Sequence, residues 1–260
     1  MDAHLHRGWS ADYQGLPPAD VYMMCEPDVA VPLLLEAVKG RPAAVASRKE
    51  DLSGKDEAVS IRALARAFNQ LTEGQDICLS KLPLGWNGAY RHFRHPLDYL
   101  GADGGGGVGA GPGLTVGAAL ALQKSNRMVV GIMGDGDYLM GVTALWTATH
   151  YKLPCLILVA NNRSFYNDEM HQERVAKERG RPVENKWIGQ RIDEPDIDLA
   201  AMARAQGAEG IGPVKRLDEL KSSIEKAIEH VRAGAVCVVD VRVMPGYDAP
   251  VSGAATPARR

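Results

Sequence analysis

The sequence predicts an α/β protein with a parallel sheet and helices on both faces of that sheet. Three largely apolar runs, all rich in Val or Ile or both, occur at Met128–Met133, Cys155–Ala160 and Val236–Val243. Amphipathic or small-residue segments precede and separate these runs, so that helical and strand patterns alternate along the chain. Apolar strands that alternate with helices are typical of a parallel sheet, because each crossover helix packs over one face of the sheet.

The remaining elements follow from the same patterns in chain order. A short amphipathic run, Val31–Val38, predicts a first helix, and Ser60 is suited to cap a second helix that carries Ile61 and Phe68 on one face. A short buried strand is predicted at Asp76–Leu79. The later helices are predicted at Leu114–Leu122, Val142–Tyr151, Met170–Glu178, Ile197–Ala205 and Leu217–Val231.

Composition changes along the chain predict its domain organisation. Residues 1–55 contain four prolines in their first 32 positions and end in a polar, charged stretch that is typical of a linker. The regular α/β pattern occupies residues 56–245, and residues 246–260 are predicted to be a loose extension.

Charge and cysteine usage exclude several classes of protein. The 30 Lys and Arg residues nearly balance the 32 Asp and Glu residues, so bulk electrostatic attraction to nucleic acid or to an anionic membrane is not expected. The four cysteines are widely spaced without a C-x-x-C pair, and no apolar run approaches the ~18 residues of a membrane span. These features predict a soluble protein of the reducing cytoplasm.

Two polar motifs follow neighbouring apolar runs and predict a metal site. Gly134-Asp135-Gly136-Asp137 follows the first run, and Asn161-Asn162-Arg163-Ser164 follows the second. The carboxyl ends of parallel strands meet at one edge of a sheet, where ligands of α/β proteins bind. Carboxylate and amide oxygens are hard ligands that suit Mg²⁺ or Ca²⁺, and a glycine backbone allows a phosphate to approach closely. Each motif alone is common turn chemistry, so the prediction depends on the pair.

The spacing of the pair resembles that of thiamine diphosphate enzymes (ThDP, also called thiamine pyrophosphate). From about Ser60 to Val243, the sequence is similar to the diphosphate-binding domain of the acetolactate synthase and benzoylformate decarboxylase family. The resemblance implies that Mg²⁺ is held by Asp135, Asn162 and the backbone carbonyl of Ser164. It also implies the ThDP-binding fold, preceded here by a central-domain remnant and a linker.

The glycine-rich segment strengthens the resemblance. Nine glycines lie between Gly101 and Gly117, ahead of a small-residue helix, as in the family. By this similarity Gly106 offers its carbonyl to the aminopyrimidine of ThDP. Val108 takes the place of the bulky aliphatic residue that holds the cofactor bent.

The resemblance assigns further contacts around both motifs. Gly134, Gly136 and Asp137 are expected around the diphosphate, and Asn167 is expected to border it. Tyr166 and His171, in the segment after the second motif, are candidate substrate contacts; packing of this segment on a partner explains them equally well.

The resemblance also implies a second polypeptide. Residues 1–55 are similar to the tail of the family's central domain and the following linker. The family activates ThDP with a glutamate on its pyrimidine-binding domain, and no segment of these 260 residues resembles that domain. We therefore expect a partner chain to carry the glutamate, no catalytic residue in this chain itself, and a heterotetramer as the assembly.

The function implied is that of a ThDP- and Mg²⁺-binding subunit of a lyase or transferase acting on a 2-keto acid. It would be an acetolactate synthase-like decarboxylase or carboligase. One alternative with the same chemistry is a subunit similar to 2-hydroxyacyl-CoA lyase or oxalyl-CoA decarboxylase. Another is a non-catalytic ThDP-binding domain with a regulatory or scaffolding role, and a third is an unrelated nucleotide-binding α/β fold.

Overall fold

The structure, a computed structural model, describes residues 25–38, 58–101 and 107–246 of the chain. The chain forms two compact units, Met1–Ala46 and Ser47–Arg260. The described part of the first unit contains one helix, α1 (Pro27–Ala37), which begins with a proline, where the missing backbone N–H has no intrahelical partner to lose. The domain bounds expected from the sequence stay a prediction, because residues 1–24, 39–57 and 247–260 lie outside the described part.

The second unit contains a sheet of five parallel strands in the order β1-β2-β3-β5-β4. The strands are β1 (Ile77–Lys81), β2 (Met128–Gly134), β3 (Cys155–Asn161), β4 (Glu209–Val214) and β5 (Val236–Arg242). The helices of this unit are α2 (Ile61–Leu71), α3 (Ala110–Ala121), α4 (Asp135–Gly141), α5 (Ala144–His150), α6 (Tyr166–Glu178), α7 (Leu199–Arg204) and α8 (Leu217–Arg232). The parallel α/β class is confirmed.

Helices cover both faces of the sheet, as predicted. Alternate residues of β2 enter different cores: Val130 and Ile132 pack with α2 and α8, whereas Val129 and Met133 pack with α3, α5 and α7. Successive side chains of a strand point to opposite faces, so a continuous apolar run supplies two cores at once. The central strands are therefore buried on both sides.

Several features of the structure differ from the sequence-based expectation. Helices α1, α3 and α6 each begin four residues earlier than predicted. Strand β4 was not predicted, because it contains Gly210, Gly212 and Pro213 and lies exposed at the sheet edge. The Gly-Asp-Gly motif, expected as a turn, is the junction at which β2 ends and α4 begins. The helix expected at 142–151 is α5, and a further helix that was not predicted, α4, precedes it with the acidic residues of the motif in its first turn.

Three of the four cysteines pack as small apolar side chains, whereas Cys25 is exposed. Cys78, Cys155 and Cys237 are buried, and burial raises the pKa of all three thiols. Among the described helices, none is long and apolar enough to cross a bilayer. The cytoplasmic location stays a prediction.

We expect Gly131→Ala to destabilise the sheet by about 1–3 kcal/mol, because β2 and α3 approach closely at this position. A Cβ at Gly131 would meet Thr115 Oγ1 and would lie 2.8 Å from Met133 Cε. Thr115 cannot move away freely, since its hydroxyl is hydrogen-bonded to Ser80 Oγ at 2.9 Å. Urea unfolding measures the change.

The matched control is Gly134→Ala at the end of the same strand. A Cβ there meets nothing within 4 Å, and the backbone φ of −74° suits alanine. Equal unfolding free energies for the two variants would contradict the close approach.

Candidate functional site

The two polar motifs lie side by side at the carboxyl edge of the sheet. Strands β2 and β3 are parallel neighbours, and Gly134 of β2 pairs with Ala160 of β3. Asp135 follows the end of β2 and Asn162 follows the end of β3. The juxtaposition expected from the sequence is therefore present in the fold.

One backbone N–H group joins the two motifs. The N–H of Ser164 donates to Asp135 Oδ2 at 3.0 Å and to Asn162 Oδ1, also at 3.0 Å. Because both oxygens contact the same nitrogen, a carboxylate oxygen and an amide oxygen converge beside the Ser164 backbone. The structure thus brings together the three residues expected to hold a metal.

The Asp135 carboxyl group is buried with little to stabilise its charge. It is 2% exposed, and Oδ1 accepts a 3.0 Å hydrogen bond from the Gly136 N–H. Burial raises its pKa to about 6, although backbone N–H groups, including those of Gly136 and Ser164, act in the opposite direction. Within the described part of the chain, only backbone groups contribute to this stabilisation. The residues fit a divalent cation, because the buried carboxylate and the adjacent amide oxygen are hard ligands and a cation would supply the missing charge.

The candidate metal site contains one carboxylate, that of Asp135, so it differs from a cluster of several acidic, histidine or cysteine ligands. No group of three such side chains that could hold a metal occurs in residues 25–38, 58–101 and 107–246. The candidate metal site therefore depends on one side-chain carboxylate, one amide and a backbone carbonyl.

The loop after β3 is held from the side of β5 by a buried pair that the sequence reasoning missed. Asn161 Nδ2 donates to Asp240 Oδ1 at 2.8 Å, and Asn161 Oδ1 accepts from the N–H of Arg163 at 3.1 Å. Arg163 has a φ of +59°, a conformation that a non-glycine residue seldom adopts without such support. Asp240 is fully buried, and burial raises its pKa. A sequence signal existed, because Asp240 interrupts an otherwise apolar strand.

A second contact missed from the sequence holds the same loop from the side of α6. Glu169 is 4% exposed and accepts a hydrogen bond from the Ser164 hydroxyl. Arg191 Nε lies 3.7 Å from Glu169 Oε1. No pattern in the sequence distinguishes Glu169 from its acidic neighbour Asp168, which is exposed.

Gly136 allows the two motifs to pack against each other. A Cβ at this position would contact the Phe165 ring, with Cζ only 2.7 Å away. The second glycine of the Gly-Asp-Gly motif is thus required by contact with the segment that follows the second motif.

Asp137 connects the first motif to the glycine-rich segment. Its Oδ1 accepts hydrogen bonds from the N–H groups of Gly109 at 2.7 Å and Gly111 at 3.0 Å, and Lys81 Nζ lies 3.9 Å from Oδ2. Asp137 therefore fixes the start of α3. Val108 is half exposed, directly before this anchor. Gly106 lies outside the described residues.

The candidate contacts on α6 do not form one cluster. Tyr166 and Asn167 are half-buried in the first turn of the helix, immediately after the Ser164 loop, whereas His171 is exposed. Five residues correspond to about 1.4 helical turns, so Tyr166 and His171 point in different directions.

Comparison with curated proteins identifies relatives named as a benzoylformate decarboxylase and an acetolactate synthase. The chain is 32% identical over 123 residues to benzoylformate decarboxylase of Pseudomonas aeruginosa, a match to 47% of this chain and 21% of that protein. It is 30% identical over 154 residues to the acetolactate synthase isozyme 3 large subunit of Escherichia coli K12, a match to 59% of this chain and 25% of that protein. The chain thus covers a quarter or less of the length of these relatives.

Solved structures share the fold. A ThDP-dependent 4-hydroxybenzoylformate decarboxylase of Rhodococcus jostii RHA1 superposes with a TM-score of 0.58 at 26% identity, over 75% of this chain and 35% of that one. A putative ThDP-dependent enzyme of Mycobacterium smegmatis gives a TM-score of 0.63 at 21% identity, over 84% and 39% of the two chains, and shows the fold alone.

A family model described as "Thiamine pyrophosphate enzyme, C-terminal TPP binding domain" matches residues 84–241. This range is more than half of the chain and contains both polar motifs, the Ser164 loop and the start of α3. The chain belongs to the thiamine pyrophosphate enzyme family, of which it carries the C-terminal TPP-binding domain.

Proposed function

We propose that the chain is the ThDP- and Mg²⁺-binding subunit of a two-component enzyme that cleaves or forms a carbon–carbon bond at a 2-keto acid. The observation that carries the proposal is the convergence of the Asp135 and Asn162 oxygens on the Ser164 N–H. Membership of the TPP-binding family supports ThDP as the ligand. The names of the relatives, benzoylformate decarboxylase and acetolactate synthase, support decarboxylase or carboligase chemistry.

The metal would be held by the Asp135 carboxylate, the Asn162 amide oxygen and the backbone carbonyl of Ser164. When bound, ThDP supplies the electron sink that is needed to break or form a bond next to a carbonyl group. The chain contributes binding and orientation. Its buried carboxylate attracts the cation, and the contacts of Ser164 with Glu169 and of Asn161 with Asp240 hold the ligands in place.

The remaining site residues shape the space around the cofactor. We assign Gly134 and Gly136 to the surroundings of the diphosphate; Gly134 leaves its backbone bare, and Gly136 makes room for the Phe165 ring. Asp137 holds the start of α3, directly after Val108. We assign Asn167 to the border of the diphosphate.

The other two assignments rest on the family resemblance. Gly106 would offer its carbonyl to the aminopyrimidine, and Tyr166 and His171 are the substrate contacts of the proposal.

The activating glutamate would come from a partner chain that carries a pyrimidine-binding domain, in a heterotetramer. Glu173 is unsuited to the role, because hydrogen bonds from Lys177 and Lys186 lower its pKa to about 2 and keep it ionised. Glu169 already accepts from Ser164. Exposed apolar side chains on and near α3, including Leu114, Leu120, Met140 and Trp146, support a protein partner.

We expect the chain to bind ThDP only with Mg²⁺, and Asp135→Ala to weaken this binding by more than about 100-fold. Loss of a ligand should exceed the 10–100-fold effect of losing a group that merely orients one. Isothermal titration calorimetry measures the affinity. Asp168→Ala is the control, because Asp168 has the same charge but is exposed on α6. Metal-dependent binding that survives Asp135→Ala would overturn the assignment.

The raised pKa of Asp135 predicts opposite pH effects on stability and on metal binding. In the metal-free protein its pKa of about 6 exceeds the ordinary value of 3.8, so the folded state binds the proton more tightly than the unfolded state. The contribution of Asp135 to the free energy of unfolding is therefore full below about pH 4 and is lost as the pH rises through about 6. Mg²⁺ competes with this proton, so its affinity should fall about tenfold per pH unit below about pH 6.

Urea unfolding and Mg²⁺-dependent ThDP titration between about pH 5 and pH 8 measure the two effects. Asp135→Asn serves as the control, since it removes the titrating group. A metal affinity that is constant over this range would contradict the prediction.

We expect the chain alone to release no CO₂ from a panel of 2-keto acids, even when saturated with ThDP and Mg²⁺. Activity should appear on mixing with the chain that carries the pyrimidine-binding domain. It should disappear again when the glutamate of that partner is changed to glutamine, because no carboxyl group remains to activate the cofactor. Full activity of the unmixed chain would contradict the two-component arrangement.

A further inference from the structure

A cavity lies at the carboxyl edge of the sheet, on the side of β3 that faces away from β2. It has a volume of about 450 Å³ and is lined by residues at the ends of β3 and β5 and by Lys215, directly after β4. Strand β3 separates it from β2, whose end carries Asp135. Asn162 lines this cavity and is also a candidate metal ligand, whereas Asp135 does not line the cavity.

The charge of the cavity wall is positive, although the whole chain has a formal net charge of −2. Arg163, Lys215 and Arg242 contribute positive charges, and Asp196 is the one acidic residue among the lining residues. Two positive charges thus remain in surplus. A concave surface with charges of one sign concentrates ligands of the opposite sign.

Arg242 has a donor that the protein does not use. Its side chain is 14% exposed, and one terminal nitrogen donates to both carboxylate oxygens of Asp196 at 2.9 Å. Its Nε is buried and has no hydrogen-bond partner among the described residues. Because this Nε is closed off from the cavity, Arg242 contributes positive charge to the wall but no Nε contact to a ligand.

The rim of the cavity is held rigidly. The N–H of Arg163 donates to Asn161 Oδ1 at 3.1 Å, and its carbonyl accepts from Ile192 at 2.8 Å. These bonds fix the left-handed backbone of Arg163, whose φ is +59°. A cationic side chain on a fixed backbone loses less conformational freedom when it binds an anion.

We infer that this cavity is a phosphate-binding site, distinct from the metal site. The two surplus positive charges match a dianionic phosphate group. The volume is within the range of small-molecule sites, about 300–1,000 Å³, so the phosphate can carry a small organic group. The source is either inorganic phosphate or a phosphate monoester.

Calorimetric titration of the full chain with inorganic phosphate and with glycerol 3-phosphate, at constant ionic strength, tests the site. We expect saturable binding that weakens about tenfold or more in Lys215→Ala and in Arg163→Gln. The second variant removes the positive charge and keeps a long polar side chain. Lys221→Ala is the matched control, because Lys221 is an exposed lysine on α8 outside the cavity. Tighter binding of glycerol 3-phosphate identifies a monoester as the ligand, and equal binding identifies phosphate itself.

Asp135→Ala separates this inference from the proposed function. Phosphate binding should persist in that variant, while Mg²⁺-dependent ThDP binding is lost. Absence of saturable binding would overturn the inference, as would equal weakening by Lys215→Ala and Lys221→Ala. Loss of phosphate binding in Asp135→Ala, with the fold intact by circular dichroism, would assign the phosphate to the metal site and also overturn it.

Discussion

The candidate site depends on one backbone N–H group. Ser164 donates to Asp135 and to Asn162, and this shared donor joins the ends of two neighbouring strands into one cluster of oxygens. The loop that carries the donor is held on one side by Asn161 and Asp240 and on the other by Glu169. Displacing the loop would separate the two oxygens, so these buried contacts serve the geometry of the site as much as the stability of the fold.

Four buried carboxyl groups lie at or near this edge of the sheet; all four accept hydrogen bonds within the chain, and Asp137, Asp240 and Glu169 also have a side-chain partner. Asp137 holds the start of α3, Asp240 accepts from Asn161, and Glu169 accepts from Ser164. Asp135 differs, because only backbone N–H groups of the described residues stabilise its charge and burial raises its pKa to about 6. A buried carboxylate costs free energy unless it is paired, and a divalent cation would be such a partner.

Strands β2, β3 and β5 could be predicted from the sequence because each is buried on both faces and therefore reads as a continuous apolar run. Strand β4 could not, since its edge position tolerates Gly210, Gly212 and Pro213; Gly210 lies directly against the backbone of α7. The pairing of Asp135 with Asn162 was predictable from two motifs that follow adjacent strands. The contacts of Glu169 and Asp240 were not predictable. Asp240 pairs with a residue that is distant in sequence, and the contact of Glu169 with Ser164 follows no periodic pattern.

The sequence by itself determined the parallel α/β class, the two buried strand ends and the oxygen-bearing side chains that lie there. Periodicity and residue type are local properties, and they suffice for these conclusions. Only the tertiary structure decided that Ser164 joins the two motifs, that Gly136 is required by the Phe165 ring, and that a positively charged cavity lies on the far side of β3. Each of these depends on distances between separate segments, which are set by how the strands pair and how the helices pack over them.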